Sequence, residues 1–261
     1  FSEDFFKNKI FSLISILLLE GIYFYNFTTP EFNVNVCQLP FWTLTVYFTW
    51  KIFKKEEPNI FDLIFLGIFA AAGILSKYLF LYLLISIDLL FVYLIFVIKD
   101  RKFQFAYLLS LEIFLLLLIP HLVWLTNNDF ATITYGLKRT GLEDGQILNH
   151  ITNPILFILK QIGILIPFFA LCFVLIKKFK LKINTKDKKL IFLIFINLIP
   201  IILMTITSLI TGSKIRTMWM TPFYLFFGLL ITYVYKNQIK SKKINNFIIG
   251  FIFLFLFSPI A

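Results

Sequence analysis

Residues 60–98 read IFDLIFLGIFAAAGILSKYLFLYLLISIDLLFVYLIFVI, two apolar runs that meet at Ser76, Lys77 and Tyr78. As one helix the stretch would be about 58 Å long, roughly twice the hydrocarbon core of a bilayer, so it predicts two crossings joined by a tight turn. Lys77 then sits at that turn, at the hydrocarbon edge, where burying an ammonium group is costly. Two readings suit it: a snorkelling lysine that ends a helix, or a fixed cation that meets an anionic group at the membrane surface.

The rest of the chain has the same character. Of 261 residues, 59% are hydrophobic, 15% are charged and 35 are Phe, a usage far from that of a soluble domain. Apolar runs recur at about 10–27, 37–53, 60–76, 79–98, 103–124, 154–176, 190–210, 219–235 and from 247 onward. They predict an all-α polytopic transmembrane bundle of about nine helices, forming a single domain over residues 1–261. Cys37 and Cys172 fall near opposite faces in this topology, so neither a disulfide nor a metal site is expected from them. The sequence opens on a polar patch at Phe1 and ends within an apolar run, which reads as a fragment short at its start. Its wealth of Phe, Ile, Leu, Lys and Asn suggests an AT-rich bacterial genome.

A net charge of +11 would raise nucleic acid as a partner in a soluble protein. Here the cations lie in short loops, and alternate loops carry nearly all of them. Lys7 and Lys9, Lys51 to Lys55, Lys99 to Lys102, Lys177 to Lys189 and Lys236 to Lys243 form one set, read as cytoplasmic. No nucleic acid is expected; membrane lipids are. Five cations remain on the outer side, where orientation does not require them: Lys77, Lys138, Arg139, Lys214 and Arg216. Residues 125–153 are the longest outer loop, carrying Tyr135, Lys138, Arg139, Glu143, Asp144 and His150, with Gly136, Gly141 and Gly145 as expected breakers. Within the apolar runs, Glu20, Asp88, Glu112 and Lys160 should face protein or water. Lys160 paired with a carboxylate would hold the bundle together; Asp88, Glu112 and Lys160 lining a path would make a lipid or polysaccharide transporter or flippase.

Signatures of soluble enzymes are absent: no glycine-rich phosphate loop, HExxH, CxxC or serine nucleophile elbow. The outer cations are the positive evidence, since lysine and arginine at helix ends hold lipid-linked phosphate by charge-assisted hydrogen bonds. Tyr78, Tyr135 and Trp219 beside them would stack on a sugar or form an interfacial aromatic belt. His121, after Pro120 at the outer end of its helix, is either a phosphate contact or a hydrogen-bonded interfacial histidine.

Several segments carry a resemblance. GILSKY at Gly73–Tyr78, NVNVCQLPFW at Asn33–Trp42, PHLVW at Pro120–Trp124 with the loop Asp129–Gly141 after it, QIGILIP at Gln161–Pro167 and RTMWMTPFY at Arg216–Tyr224 occur in this order. Together they resemble membrane glycosyltransferases of the GT-C class, family 39, which include dolichyl-phosphate-mannose protein mannosyltransferases and lipid A aminoarabinose transferases. The resemblance implies an inverting transfer of a sugar from a polyprenyl-phosphate carrier to a lipid, glycan or protein acceptor. The active face would be the periplasmic or extracellular one, in the bacterial inner membrane. It further implies that Lys77 and Tyr78 bind the donor phosphate, with Lys138, Arg139 and Arg216 sharing its charge. Glu31, Asn33, Asn35, His121 and Trp219 become candidates for acceptor or sugar contacts. The acidic base of the family, an Asp-Glu pair in its first outer loop, has no counterpart here and is expected upstream of Phe1. Asn35 stands where many members carry Asp, and Met218 where many carry His. No metal ligand set is assigned, and a divalent metal stays open as a cofactor.

Overall fold

The computed structural model describes residues 1–27, 32–100, 102–141, 146–176, 178–181, 184 and 186–258. Regular structure among them is helical, apart from an isolated antiparallel bridge between Ile176 and Ile239. The chain divides into two compact units, one formed by Phe1–Asn33, Ile158–Asn197 and Phe223–Ala261, the other by Val34–Phe157 and Leu198–Pro222.

The second unit is built on a helical hairpin, α2 (Val34–Lys54) and α3 (Ile60–Ser76). Asn59 caps α3 by accepting the Phe61 amide at 3.0 Å, which relieves one of the unpaired N–H groups of the first turn. One turn in, Asp62 receives Lys51 at 2.6 Å on one oxygen and Lys55 at 2.8 Å on the other, so the hairpin is stapled at this end. Small residues then set the packing distances. A side chain at Gly67 would lie 2.7 Å from the Ser110 carbonyl oxygen of α5 (Lys102–Asn127), and Ser110 Oγ donates to the Leu63 carbonyl at 3.1 Å. Close backbone approach with a hydroxyl bridge is how apolar helices associate without a hydrophobic driving force from lipid. Lys77 ends α3 in extended conformation. A short 3-10 turn at Tyr78–Phe80 leads into α4 (Leu81–Val92), which widens to a π-helical stretch as far as Val97.

The loop expected at 125–153 is largely helical among its described residues. α5 runs on to Asn127, α6 (Ala131–Arg139) follows, and α7 (Asn149–Ile164) starts before residue 153. Gly136 lies inside α6 with open space where a side chain would be, so it does not break the helix as expected. Gly141, at φ +67°, does mark its end. Gly145 lies outside the described residues.

Among the described residues three segments are long and apolar enough to cross a membrane: Tyr78–Val97, Tyr107–Asn127 and Lys188–Thr211, the last coinciding with α9. Two bent pairs bring the total to as many as five. α7 is followed by α8 (Ile166–Leu175) at a bend of 51°, and a 3-10 stretch Thr217–Tyr224 is followed at 52° by a segment beginning with α10 (Phe227–Tyr235). These bends correct the straight runs expected at 154–176 and 219–235. Pro167 in the first turn of α8 and Pro222 in the 3-10 stretch lack the N–H that an uninterrupted ladder needs.

In the first unit, α1 (Lys9–Leu17) is capped by Asn8 and gives way to 3-10 turns at Leu18–Gly21 and Tyr23–Tyr25, shorter than the run expected to Phe27. Gly21 explains the close seat of this segment on α8, because a Cβ there would be 2.6 Å from the Phe168 Cα. A Cβ at Gly228 would collide with the Ser15 carbonyl, which brings α10 against α1. α11 (Ser241–Phe257) lies on α8, with Leu171 over Gly250. Gln161 and Tyr224, one from each of two motif segments, meet here: Tyr224 donates to Gln161 Oε1 at 2.8 Å.

Candidate functional site

All the geometry that gathers around Lys77 belongs to the second unit. The turn between α3 and α4 is shaped by Gly73, where any side chain would run into the Phe80 ring. Phe80 is fully buried and meets Trp42 of α2 edge to face, ring centroids 5.5 Å apart. That contact fixes which face of α2 looks at the turn. Gln38 and Asn35, one and two turns earlier on the same face, are 0% and 3% exposed. Lys77 donates to Asn35 Oδ1, and its ammonium stands 5.3 Å above the centre of the Trp219 ring.

A cation held between an amide oxygen and an aromatic face keeps two of its donors for another partner. Lys77 lies between the apolar segments rather than within one. Burial, and after it the charge of Arg139, push its ammonium down to about 8, so near neutral pH it stays charged with little to spare. An arriving anion would relieve both causes.

Tyr78 points to other neighbours. Its hydroxyl pairs with His121 Nε2 at 2.7 Å and with Thr132 Oγ1 at 2.6 Å, joining the α3–α4 turn to α5 and α6. His121 in turn stacks on Trp124, centroids 5.9 Å apart. Arg139, in the last turn of α6, donates to the Tyr135 hydroxyl at 3.0 Å, and its guanidinium lies 5.5 Å from that ring's centre. The Lys214 amide donates to the Thr140 carbonyl at 2.9 Å, tying the segment after α9 to the end of α6. His150 and Asn153 of α7 add a second tie, to the Leu209 and Gly212 carbonyls at 3.0 and 2.7 Å.

The candidates therefore divide. Lys77, Asn35 and Trp219 form one contact set, and Tyr78 and His121 another beside it. Arg139 reaches Lys77 by its charge alone. Lys138 and Arg216 are exposed, and Arg216 meets Trp219 through the backbone, its carbonyl accepting the Trp219 amide at 3.0 Å. Asn33 lies just ahead of α2. Glu31, with Glu143 and Asp144, lies outside the described residues. Among the described residues no group of three His, Cys, Asp or Glu side chains forms a metal site.

Two side chains were not signalled as part of this arrangement. Thr132 had no sequence signal. Gln38 had one, its three-residue spacing from Asn35, and both of its amide atoms are buried without a hydrogen-bond partner.

The transport reading finds little. Glu112 and Lys160 are exposed on their helices and Asp88 is half-buried, and none of the three has an ion pair among the described residues.

Residues 4–124 match the family model of dolichyl-phosphate-mannose-protein mannosyltransferase. The matched segment is a little under half of the chain. It contains Asn35, Lys77, Tyr78 and His121, and it stops short of α6 and of Trp219. No curated protein and no solved structure matches the chain. The apolar helices are those of a multi-pass membrane chain, and its matched segment is similar to membrane glycosyltransferases of the mannosyltransferase kind.

Proposed function

We propose that the protein transfers a sugar from a polyprenyl-phosphate carrier to a lipid, glycan or protein acceptor at the outer face of a bacterial inner membrane. The observation that carries this reading is the Lys77 ammonium, part-buried at a helix end, oriented by Asn35 and Trp219 and pushed down toward neutrality by its surroundings. In the displacement, an acceptor hydroxyl oxygen attacks the anomeric carbon and releases its proton to solvent, the bond from that carbon to the phosphate oxygen breaks, and the carrier leaves as a monoester with one more negative charge. Lys77 meets that charge, and a cation already in position costs no reorganisation at the transition state. Arg139 adds a longer-range field of the same sign. Trp219 and the Tyr78–His121 pair flank the position a sugar ring would take, with Lys138 and Arg216 as exposed cations along the approach.

The test uses membranes carrying the protein, supplied with labelled polyprenyl-phosphate sugars. Label appearing in lipid, glycan or protein supports the reading. No transfer from any of several donors, by protein shown to be folded, would overturn it.

A further inference from the structure

A cavity of about 540 Å³ lies in the first unit, and none of the residues of the Lys77 site lines it. Lys178, Lys180, Lys236 and Lys240 line it, with Asn184, Asn237 and Gln238 as neutral donors and Leu190, Tyr233 and Val234 as an apolar wall. Asp187 is the one carboxylate on the lining. Its oxygens are spoken for: one accepts the Lys189 and Leu190 amides at 3.0 and 3.3 Å as a cap on α9, and the other accepts the Tyr233 hydroxyl at 2.8 Å. The cavity thus presents several ammonium groups against a single capped anion.

Lysines that only orient a chain in the bilayer need neither a concavity nor a fixed wall. These have both. The Lys180 amide donates to Gln238 Oε1 at 3.0 Å while Gln238 Nε2 donates back to the Lys180 carbonyl at 2.7 Å, and Ile176 pairs with Ile239 just beyond. Segments 58 residues apart are thereby held across the rim. Lys236 is fixed over the Tyr233 ring at 3.7 Å. The cost of holding four like charges around one space is recovered when a multiply charged anion fills it.

We propose that this cavity binds a phosphate-bearing anion, at a site separate from the sugar-transfer centre and on the face of the protein that the lysine distribution makes cytoplasmic. Phosphate suits it because compact, tetrahedral, multiply charged oxygens match point-like ammonium groups and carboxamide donors at once. A phospholipid headgroup would also set its glycerol backbone against Leu190, Tyr233 and Val234; a soluble phosphate would use the polar wall alone.

The experiment compares the full chain with a Lys180→Gln/Lys240→Gln variant and with a Lys242→Gln/Lys243→Gln control, which removes the same charge outside the cavity. Inorganic pyrophosphate is titrated in neutral detergent, and cardiolipin is titrated into phosphatidylcholine nanodiscs, with binding read by native mass spectrometry and thermal shift. The cavity variant should bind about tenfold less tightly while the control stays within about twofold of the parent. A response in detergent assigns a soluble phosphate, and a response confined to nanodiscs assigns a headgroup; either supports the site. Equal weakening in both variants would mean that only total charge matters and would overturn it, as would failure of the parent chain to bind either probe. A melting temperature of the Lys180→Gln/Lys240→Gln variant no lower than the parent's in the absence of anion guards against misfolding. Sugar transfer does not enter these readouts, so the cavity and the transferase reading fail independently.

Discussion

Replacing Lys77 with Met keeps the length and apolar stem of the side chain and removes its charge, which isolates the electrostatic share of the proposed chemistry. The departing phosphate gains one charge. At about 4 Å, with the effective dielectric of about 20 that suits a part-buried pair, one charge against another is worth about 4 kcal/mol. Since each 1.4 kcal/mol is a factor of ten in rate, Lys77→Met should lower kcat/KM about 1,000-fold. The pH profile sharpens the test. Burial and Arg139 set this lysine near 8 in the free protein, so wild-type kcat/KM should be level below about pH 7 and fall about tenfold per unit well above 8. The variant has nothing to titrate there and should be flat.

The stability sign runs the other way. Folding lowers the lysine from 10.5 to about 8, so the unfolded chain binds more protons between those values and unliganded stability rises with pH across that window. Transfer from a labelled polyprenyl-phosphate donor, measured in nanodiscs at matched folded protein, supplies the rates. A loss under tenfold, or a variant that keeps the fall above pH 8, would refute the role given to Lys77.

Tyr78→Phe removes the hydroxyl shared by His121 and Thr132; it should cost about 1 kcal/mol and hasten amide hydrogen exchange across Ala131–Arg139, with unchanged exchange counting against the tie. Gly73→Ala forces a methyl into the Phe80 ring and should destabilise by about 3 kcal/mol, and adding Phe80→Leu should recover part of that loss. A thermal melt in which the double variant is no better than the single one would contradict this packing. Asp62→Asn leaves Lys51 and Lys55 facing each other at the base of the hairpin. Those lysines are part-exposed, so the loss should be about 2 kcal/mol, less than for a fully buried pair, read as the shift of a denaturation midpoint.

Composition and the spacing of apolar runs were enough to read an all-helical membrane chain and a lysine at the tip of the residue 60–98 hairpin, because both follow from local rules on length and on the cost of buried charge. Asn35, Tyr78, His121 and Trp219 became candidates through their place in the resembling segments rather than through these rules. Neither the rules nor the segments paired them. Lys77 reaches Asn35 across 42 positions and Tyr78 reaches Thr132 across 54, and such partners are chosen by how helices dock, through Gly67, Gly73 and the Phe80–Trp42 contact.

The helix in the long loop was missed for a related reason. Gly136 is a breaker by propensity, yet it stands in open space within α6, whose hydrogen-bonded ends outweigh one glycine. The bends before α8 and α10 were written in Pro167 and Pro222, but their angles depend on what each half packs against. Sequence by itself determined the helical, apolar character of the chain and singled out a few loop cations as candidates. Tertiary structure alone decided which of those cations is part-buried, which amide and ring orient it, and that the lysines of the other set rim a cavity, since burial and convergence are properties of packed helices and not of their order along the chain.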